Sequence, residues 1–200
     1  LAAAFPQFAD QVRDGALTAT DMAGLLVSST EQIIDVMYKA INGYVFNEQE
    51  IAVLIRLYPE LANAITQTAE GYQVDASAAQ SAAEQKVQAA NDAIQAQIVE
   101  TNAVIQNIEA RIAAYQMELA ALGRLMDSLS QYSSGLLNGV TDYNNMTEEQ
   151  KSQWQSYMQA ADAAKKAKDK IASSESDLAD AKDKLKGLAN SLATINNSYK

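Results

Sequence analysis

The sequence predicts an all-α protein: a long antiparallel coiled-coil helical hairpin with a small N-terminal helical bundle packed at its base. Three observations predict it. In the last quarter, Tyr157, Ala164, Ile171, Leu178, Leu185, Leu192 and Tyr199 recur every seven residues, and Ala160, Ala167, Ser174, Ala181, Leu188 and Ile195 form a companion line three residues on. Two such lines are the seam of a coiled coil. Upstream, Ile94, Ile98, Thr101, Ile105, Ile108, Ile112, Tyr115, Leu119, Leu122, Met126 and Leu129 are spaced four and three residues apart in strict alternation. The only two prolines, Pro6 and Pro59, lie in the N-terminal third, so the rest lacks the strongest helix breaker. Strand-type alternation is nowhere sustained.

The elements follow in order. Phe5, Phe8 and Val12 have helical spacing before Gly15. A helix then opens at Thr18 or Thr20 and carries Met22, Leu25, Leu26, Ile33, Val36, Met37, Ala40 and Ile41. Ser28, Ser29 and Thr30 interrupt that stripe, which predicts one helix with a soft middle or two short ones; Gly43 is the expected end. Asn47 and Glu50 predict a reciprocal capping box before the apolar run Ile51–Leu57. Pro59 ends or kinks that helix or begins the next, and residues 60–69 are expected to continue helical with Leu61 and Ile65 inward. Gly71 is the expected boundary, giving an N-terminal short-helix bundle over 1–71 and a hairpin over 72–200. The hairpin has helices at about 76–137 and 148–199 and a Gly-, Asp- and Asn-rich turn at 138–147. Thr147 with Gln150 caps the last helix, and Glu148 and Glu149 sit favourably in its first turn.

A short connection makes the long helices antiparallel neighbours. With the fold-back near Asp142, Ala164 is expected to face Ala121, Ile171 to face Ala113 or Ala114, and Leu192 to face Ile94. Val104, Leu125, Leu136 and Leu137 lie beside the seam and widen it, which calls for a third helix from residues 18–70 or from another chain. Asp162 with Lys166 and Asp180 with Lys184 mark the solvated face of the last helix.

Composition narrows the function. The net charge is −10, which argues against nucleic acid and against adhesion to anionic lipid. The acidity lies upstream; residues 138–200 carry nine acids and nine bases. With no His and no Cys, the usual zinc sites, a Ser-His-Asp site and disulfides are excluded. No catalytic residue, cofactor or metal is expected. Asp142, Asn144 and Asn145 lack the calcium-loop pattern and are read as a turn. No apolar run reaches a membrane span. Absence of Cys is compatible with cytosol and common among exported bacterial proteins, and a secreted or cell-surface location is favoured. The chain begins with Leu, as a fragment or processed product would.

The candidate partner contacts are Tyr132, Tyr143 and Trp154, grouped near the hairpin turn. They either close the end of the two-helix core or present an aromatic patch to a partner. The expected function is a non-enzymatic interaction or assembly protein that binds a protein partner or itself. In layout over the whole chain it resembles the α-helical pore-forming toxins. It is also similar to translocator, tip and filament proteins of bacterial type III secretion, which share Ala-, Ser-, Asn- and Gln-rich helices and lack cysteine. That resemblance implies a membrane-active alternative. The chain departs from the toxins in its polar turn and in having only Met22–Val27 and Ile51–Leu57 as apolar stretches, both too short to insert.

Overall fold

A computed structural model describes residues 18–136 and 143–200; the side chains of residues 19, 20 and 131–136 lie outside that description. The chain is all-α in architecture. Its helices are α1 (Ala19–Ile41), α2 (Glu48–Leu57), α3 (Ala76–Leu136) and α4 (Glu148–Ser198), with 3-10 turns at Pro59–Ala64 and Tyr143–Asn145. α3 and α4 are the long helices of the antiparallel hairpin. The described residues form two compact units: 18–102 with 183–200, and 103–136 with 143–182.

The first unit contains the N-terminal elements together with the start of α3 and the end of α4. Thr18 starts α1: its hydroxyl accepts from the Asp21 N–H and the Asp21 carboxylate accepts from the Thr18 N–H. The predicted interruption at Ser28–Thr30 does not break this helix. Thr30 is fully buried, and its hydroxyl donates to the carbonyls of Leu26 and Val27 at 2.9 and 2.8 Å, so the polar atom is satisfied inside the helix. Ala23, Leu26, Ile33, Ile34, Met37 and Ala40 form its buried stripe. Gly43 follows with φ +70°, the left-handed residue that ends helices. Asn47 and Glu50 make the reciprocal cap of α2. Pro59 both stops α2 at Leu57 and opens the 3-10 turn at its first position.

Residues 65–69 do not continue helical. Ile65–Gln67 (β1) and Tyr72–Val74 (β2) form a two-stranded antiparallel ladder, pairing Ile65 with Val74, Thr66 with Gln73 and Gln67 with Tyr72. β-branched Ile65, Thr66 and Val74 fit the extended backbone, and the Thr68 N–H closes the turn on the Gly71 carbonyl at 2.7 Å. Phe46 extends the ladder: its N–H donates to Tyr72 at 2.7 Å and its carbonyl accepts from Tyr72 at 2.9 Å. Gly71 sits under that bridge with φ +152°, and a Cβ there would lie 2.7 Å from the Phe46 carbonyl oxygen. Gly71→Ala is therefore expected to cost about 2 kcal/mol or more, seen as a lower melting temperature by circular dichroism; an unchanged midpoint would refute the close approach.

Asp75 then caps α3, accepting from the Ala78 N–H at 2.8 Å. Ala79, Ala82, Ala83, Val87, Ala90 and Ile94 of α3 and Leu188 and Ile195 of α4 join the α1, α2 and β2 residues in one buried cluster. Alanines at most α3 positions let the short elements approach its backbone. Lys86 is also buried here; its ammonium lies 3.2 Å from the Glu60 carboxylate and over the Tyr58 ring, which ties the 3-10 turn to α3. Within this unit Ile94 is buried while Ile98, Leu185 and Leu192 are half-buried, and Asn91 donates to Asn196 across the helix pair at 3.0 Å. Burial pushes the Tyr199 phenol above its usual range, and its hydrogen bond to Glu84 adds to that.

Among the described residues the second unit consists of the helix pair and the 3-10 turn at Tyr143–Asn145. Ile105 and Ile108 are buried, and Ile112, Leu119, Leu122 and Met126 are half-buried, because two helices cover an apolar side chain less completely than a cluster does. On α4 the better-buried line is the companion line, with Ala160, Ala167 and Ser174 buried and Ile171 and Leu178 half-buried at its edge. The expected register is matched by Arg111 of α3 meeting Ser174 of α4, level with the expected pairing of Ile171 and Ala114. Ala113, Ala114 and Ala121 themselves are exposed, since they fall off the four-three seam of α3.

Candidate functional site

Of the three candidate contact residues, Tyr132 has a side chain outside the described residues, and so does the predicted turn centre Asp142. Tyr143 begins the 3-10 turn ahead of α4, and its side chain is 41% exposed. Its hydroxyl accepts from the Gln155 side-chain amide at 3.1 Å, and the Lys151 ammonium lies 5.9 Å from its ring centre. Lys151 is itself held by Glu148 at 2.9 Å. Its pKa is raised by that hydrogen bond. The Thr147–Gln150 cap, formed in both directions, fixes where α4 begins and hence where these side chains stand.

Trp154 is 42% exposed and stacks on half-buried Tyr157, ring centres 6.3 Å apart and planes 21° off parallel. Met158, four residues on and so on the same helical face, is also exposed. Trp154 and Tyr143 are thus held in place on one side and open to solvent on the other. Met158 escaped the sequence reading because a methionine off the seam carries no periodic signal. The same holds for Met117, which is 68% exposed.

A second feature of this unit lies along the helix pair. Arg111 of α3 donates to the Ser174 hydroxyl at 3.2 Å and lies 3.7 Å from the Asp177 carboxylate. Beside it runs a cleft of about 400 Å³ lined by Val104, Asn107, Ile108, Arg111, Asp177 and Asp180. Val104 and Leu125, expected to widen the seam, are each 48% exposed. On the opposite flank Lys182 pairs with Glu109 at 3.3 Å. The Lys170 ammonium lies 5.1 Å from the centre of the Tyr115 ring, and Lys166 pairs with Asp162 at 2.7 Å.

A further groove lies in the first unit between α1 and α2, about 450 Å³ in volume, with Val36, Val53, Leu54 and Leu57 as its apolar wall and Asp35, Lys39 and Glu50 at its edge. Among the described residues no group of three or more acidic side chains is placed to hold a metal ion, and no helix is long and apolar enough to cross a membrane. The arrangement defines a class by fold, an all-α helical hairpin with a small packed base. No family model, no curated protein and no solved structure matches the chain.

Proposed function

We propose that this chain is a non-enzymatic helical-bundle protein that works by binding a protein partner or a further copy of itself. The observation that carries the reading is the set of large apolar side chains left open on the helix pair, off its seam: Trp154, Met158, Met117, Val104 and Leu125. An ordinary helix face is polar where it meets water, and open aromatic and methionine side chains are the groups that anchor partners. The cysteine-free composition suits a protein that acts after export, and the nearly neutral charge of its last helix suits contact with protein rather than with a polyanion.

The test is a photoreactive amino acid at Trp154, Met158 or Met117, compared with the same probe at the exposed polar position Glu175. Irradiation in the cells that encode the chain is expected to give adducts of defined mass from the apolar positions and not from Glu175. No adduct from any apolar position would overturn the reading. Release of a trapped dye from lipid vesicles by the purified chain would replace it with the membrane-active one.

A further inference from the structure

We propose that the face of the 103–182 unit built jointly by α3 and α4 is a self-association site, where a second copy lies antiparallel about a two-fold axis and completes a four-helix bundle. This rests on the assembly reading above and names its partner. The unit binds α4 through one face of α3, and α3 carries a second seam beside it. Val104, Arg111, Glu118 and Leu125 lie one heptad apart, with Asn107, Ala114 and Ala121 between them, so the steps alternate three and four as the isoleucine seam does. All seven are exposed. Each residue of this line precedes a residue of the isoleucine seam by one, so at 3.6 residues per turn the line lies roughly 100° round from it, the offset of a helix with two bundle neighbours.

The order of chemistry along that line selects the occupant. Apolar residues stand at both ends, opposite charges stand inside them, and an alanine stands at the centre. An antiparallel two-fold near Ala114 sets Val104 on Leu125 of the second copy and Arg111 on Glu118 of the second copy, twice over by symmetry. A parallel arrangement would set Arg111 on Arg111 and Glu118 on Glu118. Ala114 then meets its own equivalent at the axis, where a small side chain permits close approach.

α4 repeats the pattern independently. Lys166 and Lys170 precede Ser173, and Asp177 and Asp180 follow it, all exposed and on the same flank. Asp177 and Asp180 line the cleft with Val104 and Arg111, which places this flank beside the second seam of α3. A two-fold near Ser173 brings the lysines of each copy to the aspartates of the other. Arg111 contacts Ser174, so the centre of the α4 pattern lies beside the centre of the α3 pattern and one axis serves both. Leu125 of the second copy enters the cleft beside Val104. The contacts Arg111 already makes need not break, because its guanidinium has five donors and its ion pair to Asp177 is long at 3.7 Å.

The experiment is sedimentation velocity on the full chain across about 1–500 µM, a range that brackets micromolar affinity. Dimerisation with rising concentration is expected. Glu118→Arg and Arg111→Glu should each raise the dissociation constant by at least about tenfold, since each places two like-charge contacts in the dimer. Mixing the two variants should restore a heterodimer close to wild-type affinity, because the mixed pair again sets Arg against Glu at both places. Circular dichroism of each variant separates lost association from lost folding. Where a variant misfolds, Ala114→Cys decides: as the sole thiol in the chain it should give a disulfide-linked dimer on mild oxidation, and Glu175→Cys should not. A chain monomeric throughout, a dimer indifferent to both charge changes, failure of mixing to restore it, or equal cross-linking of both thiols would overturn the proposal. A monomer that still yields discrete photo-adducts loses the dimer and keeps the assembly reading; a monomer without adducts loses both.

Discussion

Ile108→Asp is expected to unfold the 103–182 unit. Ile108 is 6% exposed on the α3 seam, with buried Ile105 and Thr101 and half-buried Ile112 on the same face. Replacing it removes an aliphatic side chain from the interface and forces a carboxylate into the space. The first effect alone costs about 2–4 kcal/mol by comparison with other core truncations, and desolvating the charge adds about as much again. That exceeds what a single pair of helices supplies over a few turns, so helicity at 222 nm should fall and amide exchange across 103–182 should accelerate. Two controls give the prediction its edge. Ile108→Val should cost only about 1 kcal/mol, and Met117→Asp, on the open face of the same helix, should stay within about 0.5 kcal/mol of wild type. If Met117→Asp unfolds the unit and Ile108→Asp does not, the seam lies on the other face of α3.

That seam was legible in sequence because its signal is spacing. Ile94 to Leu129 obeys the four-three rule, and the described part of the line is buried or half-buried throughout. The caps were legible for a similar reason: Thr147–Gln150 and Asn47–Glu50 are local, and nothing distant competes with them. The relative burial of the two α4 lines was not legible. Tyr157, Ile171, Leu178 and Leu185 are the larger side chains, yet Ala160, Ala167 and Ser174 are the buried ones, since large groups at the edge of a two-helix interface shield small ones at its centre. The ladder at 65–74 was missed because three-residue strands are too short to show alternation; it depends on the distant pairing of Phe46 with Tyr72 and on the close fit of Gly71. Trp154 and Tyr143 were legible as residue types, but their half-open state follows from the stacking on Tyr157 and the bond from Gln155.

The largest expected effect in the other unit is at Tyr58. It is 1% exposed, and its hydroxyl donates to the Ser29 carbonyl of α1 at 3.0 Å, a contact between elements 29 residues apart. The ring also lies under the Lys86 ammonium, 5.9 Å from its centre. Tyr58→Ala leaves a cavity, removes a hydrogen bond to α1 and takes the ring from beside the Lys86 ammonium, so a loss of about 3–5 kcal/mol is expected, enough to unfold a unit of ordinary stability. Tyr58→Phe keeps the packing and loses only the hydrogen bond, about 1 kcal/mol. The phenol gives a second readout. Burial, first, pushes its pKa up from 10.0 to about 12, with the Ser29 side-chain hydroxyl acting the other way. Below pH 10 both the folded and unfolded phenols are protonated and the full stability is present. Between pH 10 and 12 the unfolded chain loses its proton while the folded one keeps it, so the unfolded state gains and stability falls as pH rises. The urea midpoint of the wild-type chain should therefore decline over that window more steeply than that of Tyr58→Phe, whose other tyrosines and lysines titrate alike. Equal slopes would mean that the Tyr58 hydroxyl reaches water in the folded protein, and the tie between α1 and the 3-10 turn would then be weaker than its geometry indicates.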